Sequence, residues 1–307
     1  MFTDSKIMEC YYLTDDFCKI FDEKGKTFKF SNCGDTKKRR QDAMIFISYN
    51  IWLHKHFMLT LCNNTEKNET MTQLEQVIET MLKHGGYATL GELNHLVDVS
   101  EWNTKTPFAS IRRIVQEGPF FRIRPGLWAL EKCRNEVMER FELKEPNKEK
   151  EEMFTHSYFQ GLLVEIGNMK HLSTYVPPQD RNKKFLEKPL HEMTSVPQIP
   201  DFTYDETLRR ARTVDVIWFN ERKMPSDFFE VEHSTDIQNS LLKFYDLQDF
   251  FAHFYIVADA SRKNQFSEII GRNIFSPINK RVRFYDYNSL SEEYTRLKEY
   301  IDVRHLT

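Results

Sequence analysis

Two stretches of sequence, VDVIWFN at 214–220 and FFEVEHS at 228–234, decide the fold of this chain. Each combines an apolar run of strand length with acidic residues. Because side chains alternate between the two faces of a strand, Glu230 and Glu232 share one face with the apolar Phe228. Two carboxylates on an apolar strand face cannot both stay ionised and buried without a partner. The pattern therefore predicts a buried acidic site within a sheet.

Asp215 adds a third carboxylate from the neighbouring strand. By the same alternation, it shares a face with Ile217 and Phe219. A divalent cation is the simplest partner for carboxylates that converge in an apolar setting. The sequence therefore favours a metal site at these two strands.

Periodicity places further elements on both sides of the acidic strands. Helical spacing covers 154–169 and 240–247, and apolar strands are expected at 171–176 and 254–259. The resulting order is helix, three strands, helix, strand. We therefore predict an α+β or α/β fold with a mixed sheet for residues 153–307.

This order, with Asp215 followed by Glu230-Val231-Glu232, resembles the PD-(D/E)XK restriction-endonuclease superfamily. The surrounding sequence resembles that of a family of nuclease-like domains. The resemblance lies in the segments HSYFQGLLVEIGN, VPPQDR, FFEVEHSTDIQNSLLKFYDL and FYIVADASRKNQFSEIIGRNIF. The resemblance implies that Asp215 and Glu230 hold Mg2+, with the carbonyl of Val231 as a further ligand. It also implies that Glu165 on the first helix completes the outer part of the site.

One position departs from the superfamily pattern. The usual lysine two residues after the central acid is Glu232 here. Glu232 either binds a second metal or orients water, or Lys243 on the following helix supplies the missing lysine. A nuclease-like domain that no longer cleaves is the remaining alternative.

A smaller domain precedes the nuclease-like region, at residues 71–131. Three helices and a hairpin around Pro125-Gly126 predict a winged helix. The segment TPFASIRRIVQEGPFFRIRPGLWAL at 106–130 resembles the HARE-type winged helix-turn-helix. Such a domain meets DNA with its third helix and its wing. The basic residues expected to contact DNA are Lys105, Arg112, Arg113, Arg122 and Arg124. On the first helix of the nuclease-like region, Gln160 and His156 form a polar stripe that either reaches a phosphate or is an exposed helix face.

The remaining segments are assigned by composition and resemblance. Residues 132–152 are rich in charge and predict a linker. Residues 1–70 are expected to form a helical extension. The stretches KIMECYYLTDDFCKIFDEKGKTFKF and TKKRR within it resemble the start of a DDE insertion-sequence transposase, whose catalytic core is absent.

Composition limits the function classes. The 307 residues are 40% hydrophobic and carry a net charge of -3, which excludes a disordered protein and a polycation. The five cysteines form no C-x-x-C pair, so neither a disulfide framework nor a zinc site is predicted. An N-terminus without a signal peptide and the lack of a long apolar run favour a cytoplasmic protein without membrane contact.

Two functions follow from these patterns. The first is a Mg2+-dependent DNA endonuclease, directed by sequence or structure, in a restriction-modification or defence system. The second is a DNA-binding transcription regulator whose nuclease-like domain is inactive. Double-stranded DNA is the expected partner in both. A cognate DNA methyltransferase accompanies the first, and a homodimer is one alternative for assembly.

Overall fold

The computed structural model describes the backbone of residues 9–14, 17–21 and 27–30, and residues 71–305 apart from 146 and 235, with side chains from 71 to 300. The chain divides into two compact units, Met1–Thr70 and Met71–Thr307. Among the helices within these bounds, none is both long and apolar enough to span a membrane.

The described part of the first unit is a three-stranded antiparallel sheet. Its strands are β1 (Glu9–Thr14), β2 (Phe17–Phe21) and β3 (Thr27–Phe30), with β2 in the middle. The expectation of a helical extension is therefore wrong for these segments. Their Tyr, Phe, Ile and Thr residues favour strands over helices. The other residues that carry the transposase resemblance, TKKRR among them, lie outside the described part of the chain.

The second unit alternates helices and strands. Its first part comprises α1 (Gln73–Lys83), β4 (Tyr87–Thr89), α2 (Leu90–Leu96), α3 (Pro107–Glu117), β5 (Phe120–Arg124), β6 (Leu127–Leu130) and α4 (Arg134–Arg140). The middle part comprises α5 (Lys148–Met169), β7 (Ser173–Tyr175), β8 (Lys184–Phe185), β9 (Lys188–Pro189), α6 (Leu190–Met193) and α7 (Asp205–Ala211). The last part comprises β10 (Val216–Phe219), β11 (Pro225–Glu232), α8 (Ile237–Asp246), β12 (His253–Ala258), α9 (Lys263–Ile270), β13 (Val282–Asp286) and α10 (Tyr287–His305).

A five-stranded mixed sheet lies at the centre of this unit, with the strand order β13-β12-β11-β10-β7. β10 pairs antiparallel with β7 and β11, whereas β12 pairs parallel with β11 and β13. The predicted series of helix, three strands, helix and strand is present as α5, β7, β10, β11, α8 and β12. The prediction of a mixed α and β fold with a mixed sheet is confirmed. β13 was not predicted, because its sequence VRFYD breaks the apolar run with two charged residues.

Helices cover both faces of the sheet, and the two faces contribute to separate cores. α5 and α10 share a core with Val216 and Trp218 of β10, whereas α7, α8 and α9 share a core with Ile217 and Phe219. The alternation of strand side chains explains this division. Phe228 belongs to the α8 core, so Glu230 and Glu232 face α8.

Gly161 allows the β8–β9 hairpin to pack closely against α5. A Cβ at this position would lie 2.2 Å from the ring of Phe185 on β8. This approach brings the segment before β8, which contains Asp180, beside Gln160 of α5.

We expect Gly161→Ala to lower the free energy of unfolding by roughly 1–3 kcal/mol, because the added methyl group overpacks a filled interior. Urea unfolding followed by circular dichroism measures the change. Gly271→Ala is the control, since its added Cβ meets only the carbonyl oxygens of Ser267 and Glu268, at 3.2 and 3.7 Å. If Gly161→Ala lowers the free energy of unfolding no more than Gly271→Ala does, the β8–β9 hairpin does not pack closely against α5.

Residues 71–130 place three helices on a small antiparallel sheet of order β4-β6-β5. A capping box begins α2: Thr89 Oγ1 accepts the N–H of Glu92, and the Glu92 carboxylate accepts the N–H of Thr89. Gly126 has a φ of +80° in the turn between β5 and β6, a conformation that glycine adopts without strain.

The β5–β6 hairpin packs directly on the helices of the central sheet. The Tyr158 hydroxyl of α5 and the Ser291 hydroxyl of α10 both donate to the carbonyl of Pro125, at 3.0 and 2.7 Å. The side-chain amide of Asn94 on α2 donates to Glu299 of α10 at 2.8 Å. The small sheet and the central sheet therefore belong to one compact unit.

The predicted linker at 132–152 differs from the structure. It contains α4 and the first residues of α5, whose N-cap Asn147 accepts the N–H of Lys150. Val137 and Phe141 are buried, and the Phe141 ring lies 4.8 Å from that of Tyr87. Two apolar residues at helical spacing (i, i+4) anchor this charged segment on the core.

Candidate functional site

Asp215 lies directly before β10, where a neighbouring strand and a helix both contact it. The pairing of Val216 with Phe229 sets it beside the end of β11. Its Oδ2 accepts the backbone N–H of Val231 at 2.8 Å and lies 3.2 Å from Nε2 of His156 on α5. Burial raises the pKa of Asp215, but the hydrogen bonds from His156 and Val231 outweigh it and hold the pKa below its usual value. Asp215 is therefore a fixed, ionised carboxylate.

The two glutamates of β11 face α8, as their alternation predicts. Glu230 and Glu232 are 2% and 5% exposed. The Ser240 hydroxyl of α8 lies 3.1 Å from Glu230 Oε2 and is also hydrogen-bonded to Glu232 Oε1. One hydroxyl proton serves only one of these acceptors at a time, so Ser240 cannot donate to both carboxylates at once.

Lys243 lies one helical turn after Ser240 and reaches the same group. Its Nζ donates to Oε2 and Oε1 of Glu230 at 2.7 and 3.0 Å, and to the carbonyl of Thr213 at 3.1 Å. The structure thus brings Lys243, the residue considered as a substitute for the missing superfamily lysine, onto the central acid.

The crowded charges and their burial shift the pKa values of Glu230, Glu232 and Lys243. Burial, together with the charge of Asp215, holds the pKa of Glu230 well above its usual range, although Lys243 lowers it in part. Burial also raises the pKa of Glu232. Burial lowers the pKa of Lys243, but the charge of Glu230 reverses the effect and the pKa lies above its usual value. The surroundings of Glu230 and Glu232 therefore stabilise the ionised carboxylates less than water does.

A second set of polar side chains meets Asp215 from α5. Gln160, one turn after His156, donates to Asp180 Oδ2 at 2.7 Å and to the backbone carbonyl of Asp215 at 3.1 Å. Lys183 lies 2.6 Å from the other oxygen of Asp180. Gln160 is 0% exposed, so the expectation that it reaches a DNA phosphate is wrong: its amide is used inside the protein. Sequence analysis missed Asp180 as a site residue, because only the fold brings it to α5.

Glu165, the acidic residue expected to complete the site from the first helix, lies away from the site in the structure. Glu165 lies nine residues after His156, which is about two and a half turns and hence the opposite side of α5. There it pairs with Lys298 of α10 at 3.1 Å, so Glu165 does not complete the site. Glu152, one turn before His156, lies on the correct side. Its Oε1 is buried and accepts no hydrogen bond among the described residues, with Lys148 Nζ 3.6 Å away.

Four of the five basic residues expected to contact DNA are exposed, and Arg124 is not. Lys105, Arg112 and Arg113 are exposed. Arg122, although exposed, donates to Asn288 of α10.

Arg124 is withdrawn from the surface, with a side chain that is 16% exposed. It donates to Thr155 Oγ1 at 2.8 Å and pairs with Glu151 at 3.2 Å, both on α5. The expectation that Arg124 contacts DNA is therefore corrected: it joins the hairpin to the helix that carries His156.

The acidic residues fit a hard divalent cation. Asp215 and Glu230 offer carboxylate oxygens, the ligands that Mg2+ prefers, and their charges interact strongly enough to raise the pKa of Glu230. The carbonyl of Val231 belongs to the residue whose N–H binds Asp215. A separate group of potential ligand atoms, from His156, Asp180 and Asp215, lies with all members within 4.8 Å of one another.

Comparison with known proteins assigns a family to the part of the chain that contains the site. The family model of the type II restriction enzyme NmeDI C-terminal domain matches residues 137–303, a range that contains every acidic residue of the site. The type II restriction enzyme NmeDI of Neisseria meningitidis serogroup C is 24% identical over 151 residues, covering 46% of this chain and 42% of that relative. The chain thus aligns with less than half of the relative's length, and no solved structure matches. Since the family model covers more than half of the 307 residues, the chain belongs to the family of the NmeDI C-terminal domain and contains a restriction-endonuclease-like domain.

Proposed function

We propose that the protein is a Mg2+-dependent endonuclease that hydrolyses phosphodiester bonds of double-stranded DNA, directed by sequence or structure, in a restriction or defence system. The observation that carries the proposal is the group formed by the buried Asp215 and Glu230 with the half-buried Lys243, beside the end of β11. Membership of the NmeDI C-terminal domain family supports the reaction class.

Asp215 and Glu230 would hold the Mg2+, with the carbonyl of Val231 as a further ligand. When bound, the ion stabilises negative charge on the phosphate and lowers the pKa of a water molecule. Asp215 is already ionised and is oriented by His156 and the N–H of Val231. A carboxylate fixed before the ion arrives needs little reorganisation during the reaction.

Lys243 would take the place of the superfamily's lysine. Its raised pKa keeps the ammonium charged beside Glu230, so it offers a positive charge to the phosphate. Glu232, buried and hydrogen-bonded to Ser240, would orient water or bind a second ion. Glu152 replaces Glu165 as the proposed outer acid, because it lies on the His156 side of α5 and has a buried oxygen without a hydrogen-bond donor in the described chain.

The role of Glu232 distinguishes an active site from an inactive one. If Glu232 acts in the reaction, Glu232→Ala should lower the single-turnover rate by at least about a hundredfold with little loss of DNA affinity, as for an interaction made in the transition state. Cleavage of DNA that lacks host methylation, with Mg2+ and with Mn2+, measures the rate. Equal inactivity of wild type and Glu232→Ala, with cutting gained by Glu232→Lys, would show that the domain has lost its activity. Rapid cutting by Glu232→Ala would refute any role for this residue.

We further propose that residues 71–131 are a winged helix of the HARE type that binds DNA through α3. The arrangement of three helices with a small antiparallel sheet supports this proposal. Lys105, Arg112 and Arg113 are the exposed cations at and before α3. Arg122 would also contact DNA, with one of its N–H groups donating to Asn288.

Removal of the α3 cations should weaken DNA binding and reduce its salt dependence. Arg112→Ala/Arg113→Ala is expected to lower the slope of log K against log salt by about 1 to 2, since each phosphate contact contributes about 0.9. Fluorescence anisotropy over a salt series measures the slope. The control, Arg222→Ala/Lys223→Gly, removes two exposed cations from the β10–β11 turn, where glycine suits the φ of 60° at Lys223. An unchanged slope in the α3 variant would assign DNA binding to another surface.

One observation favours the alternative of a DNA-binding transcription regulator with an inactive nuclease-like domain. Both carboxylate oxygens of Glu230 are already bonded to Lys243, an arrangement that would also stabilise a metal-free core. A restriction enzyme requires a cognate methyltransferase to protect host DNA, whereas a regulator does not. A methyltransferase partner therefore belongs to the first proposal, and a homodimer is compatible with both.

A further inference from the structure

We infer that His156, Asp180 and Asp215 form a second cation site, which takes a first-row transition-metal ion such as Mn2+ and shares Asp215 with the proposed Mg2+ position. The inference deepens the proposed nuclease site and rests on it in so far as Asp215 belongs to both. Metal binding through His156 can nevertheless be measured without any cleavage.

The geometry of the three side chains suits one ion. Their ligand atoms all lie within 4.8 Å of one another, a separation that a central ion with bonds of about 2.0–2.3 Å nearly spans. His156 Nε2 is 3.2 Å from Asp215 Oδ2, and its Nδ1 is buried without a hydrogen-bond partner in the described chain. The imidazole thus enters the group from α5, opposite the glutamates that face α8.

Gln160 gives an independent indication that a partner belongs here. The residue is 0% exposed, and its Nε2 donates to Asp180 and to the carbonyl of Asp215. Because both neighbours are acceptors, the orientation of the amide is fixed, and Oε1 is a lone-pair acceptor that no described residue satisfies. A buried, unsatisfied acceptor on a side chain that bonds to Asp180 and to the backbone of Asp215 calls for a cation, or for a water molecule that a cation holds.

The surrounding bonds orient Asp180 without using all its acceptor capacity. Lys183 lies 2.6 Å from Oδ1, and Gln160 donates to Oδ2 at 2.7 Å. Each carboxylate oxygen retains a second lone pair. Such partners behind a metal-binding carboxylate are typical of metal sites, where they fix the ligand's direction.

The donor set separates this site from the proposed Mg2+ position. Mg2+ prefers oxygen ligands only, whereas an imidazole with two carboxylates suits transition-metal ions. Asp215 and Glu230 therefore favour Mg2+, whereas His156 with Asp180 and Asp215 favours a first-row transition-metal ion, for which Mn2+ is a paramagnetic probe.

Pulsed electron paramagnetic resonance on the full chain tests the inference. With excess Mg2+ present and one equivalent of Mn2+ added, the Mn2+ echo should show coupling to nitrogen-14, and histidine labelled with nitrogen-15 should change that coupling. His156→Gln should abolish the coupling and weaken Mn2+ binding by at least about tenfold. His253→Gln is the matched control, since His253 also contacts an aspartate, Asp227, at 3.4 Å but is largely exposed.

Each outcome of this experiment supports or overturns the second cation site. Nitrogen coupling that disappears in His156→Gln and persists in His253→Gln supports the site. Bound Mn2+ without nitrogen coupling in the wild type overturns it whatever the variants do, and so does coupling that survives His156→Gln or a failure to retain Mn2+. If the coupling is absent while Mg2+-dependent cleavage still requires Asp215 and Glu230, only this inference fails. If the coupling is present and no DNA is cut, only the proposed nuclease function fails.

Discussion

Asp215→Asn and Glu230→Gln are each expected to lower the single-turnover rate of Mg2+-dependent DNA cleavage by about a thousandfold or more. Either change replaces a carboxylate ligand with a neutral amide of similar shape. The stabilisation that the ion supplies is several kcal/mol, and each 1.4 kcal/mol is a factor of ten in rate. The assay follows conversion of unmethylated supercoiled plasmid under enzyme excess.

Asp227→Asn is the matched control for these two variants. Asp227 lies on β11 as Glu230 does, but pairs with Trp218 of β10 and contacts His253, away from the acidic group. We expect the control to cut at nearly the wild-type rate. Undiminished cutting by Asp215→Asn and Glu230→Gln would remove both residues from the metal site.

Lys243→Met should cause the largest loss of stability among single changes at the site. Glu230 is 2% exposed, and the Lys243 ammonium bonds to its carboxylate at 2.7 Å. Removing one partner of a buried pair leaves an uncompensated charge, which costs about 3–5 kcal/mol. Urea unfolding of metal-free protein at about pH 8, where an ordinary glutamate is ionised, measures this loss.

The pH dependence of this loss has a definite sign. The pKa of Glu230 is already raised in the folded protein and Lys243 lowers it in part, so removal of Lys243 raises it further. The folded variant then binds more protons than the unfolded chain above about pH 4.3, and its free energy of unfolding falls as pH rises through this window. The deficit relative to wild type should be smaller at about pH 5 than at about pH 8.

A double variant provides the control for the buried pair. Lys243→Met/Glu230→Gln removes the stranded charge and should recover most of the lost stability, with little dependence on pH. A double variant as unstable as Lys243→Met, or a deficit that is equal at both pH values, would show that Lys243 stabilises the fold through packing alone.

The strands and their acids were predictable because short-range rules determine them. Apolar runs of strand length located β10, β11 and β12, and the alternation of side chains placed Glu230 and Glu232 on one face. Lys243 was predictable as the remaining lysine because α8 follows β11 at once. Its contact with Glu230 requires only that α8 fold back on the strand.

The rest of the site depends on contacts between distant segments. Asp180 reaches Gln160 because the β8–β9 hairpin packs on α5 at Gly161, and no local pattern indicates this. Glu165 was placed on the wrong side of α5 because the resemblance assigned it a role without regard to its helical phase relative to His156.

Arg124 illustrates the same limit for the proposed DNA surface. In sequence it belongs to a basic cluster, and such clusters are typical of a nucleic-acid interface. In the structure the hairpin packs on α5, and the guanidinium bonds to Thr155 and Glu151 instead. Charge counts cannot distinguish a cation that faces solvent from one that joins two parts of a fold.

Cleavage by the wild-type full chain tests the central claim most directly. The protein, in excess over unmethylated plasmid and genomic DNA, is incubated with Mg2+ and, in parallel, with EDTA. We predict double-strand cleavage products with Mg2+ and none with EDTA. DNA that is bound but left intact with both Mg2+ and Mn2+ would contradict the proposal that Asp215, Glu230 and Lys243 form a working nuclease site.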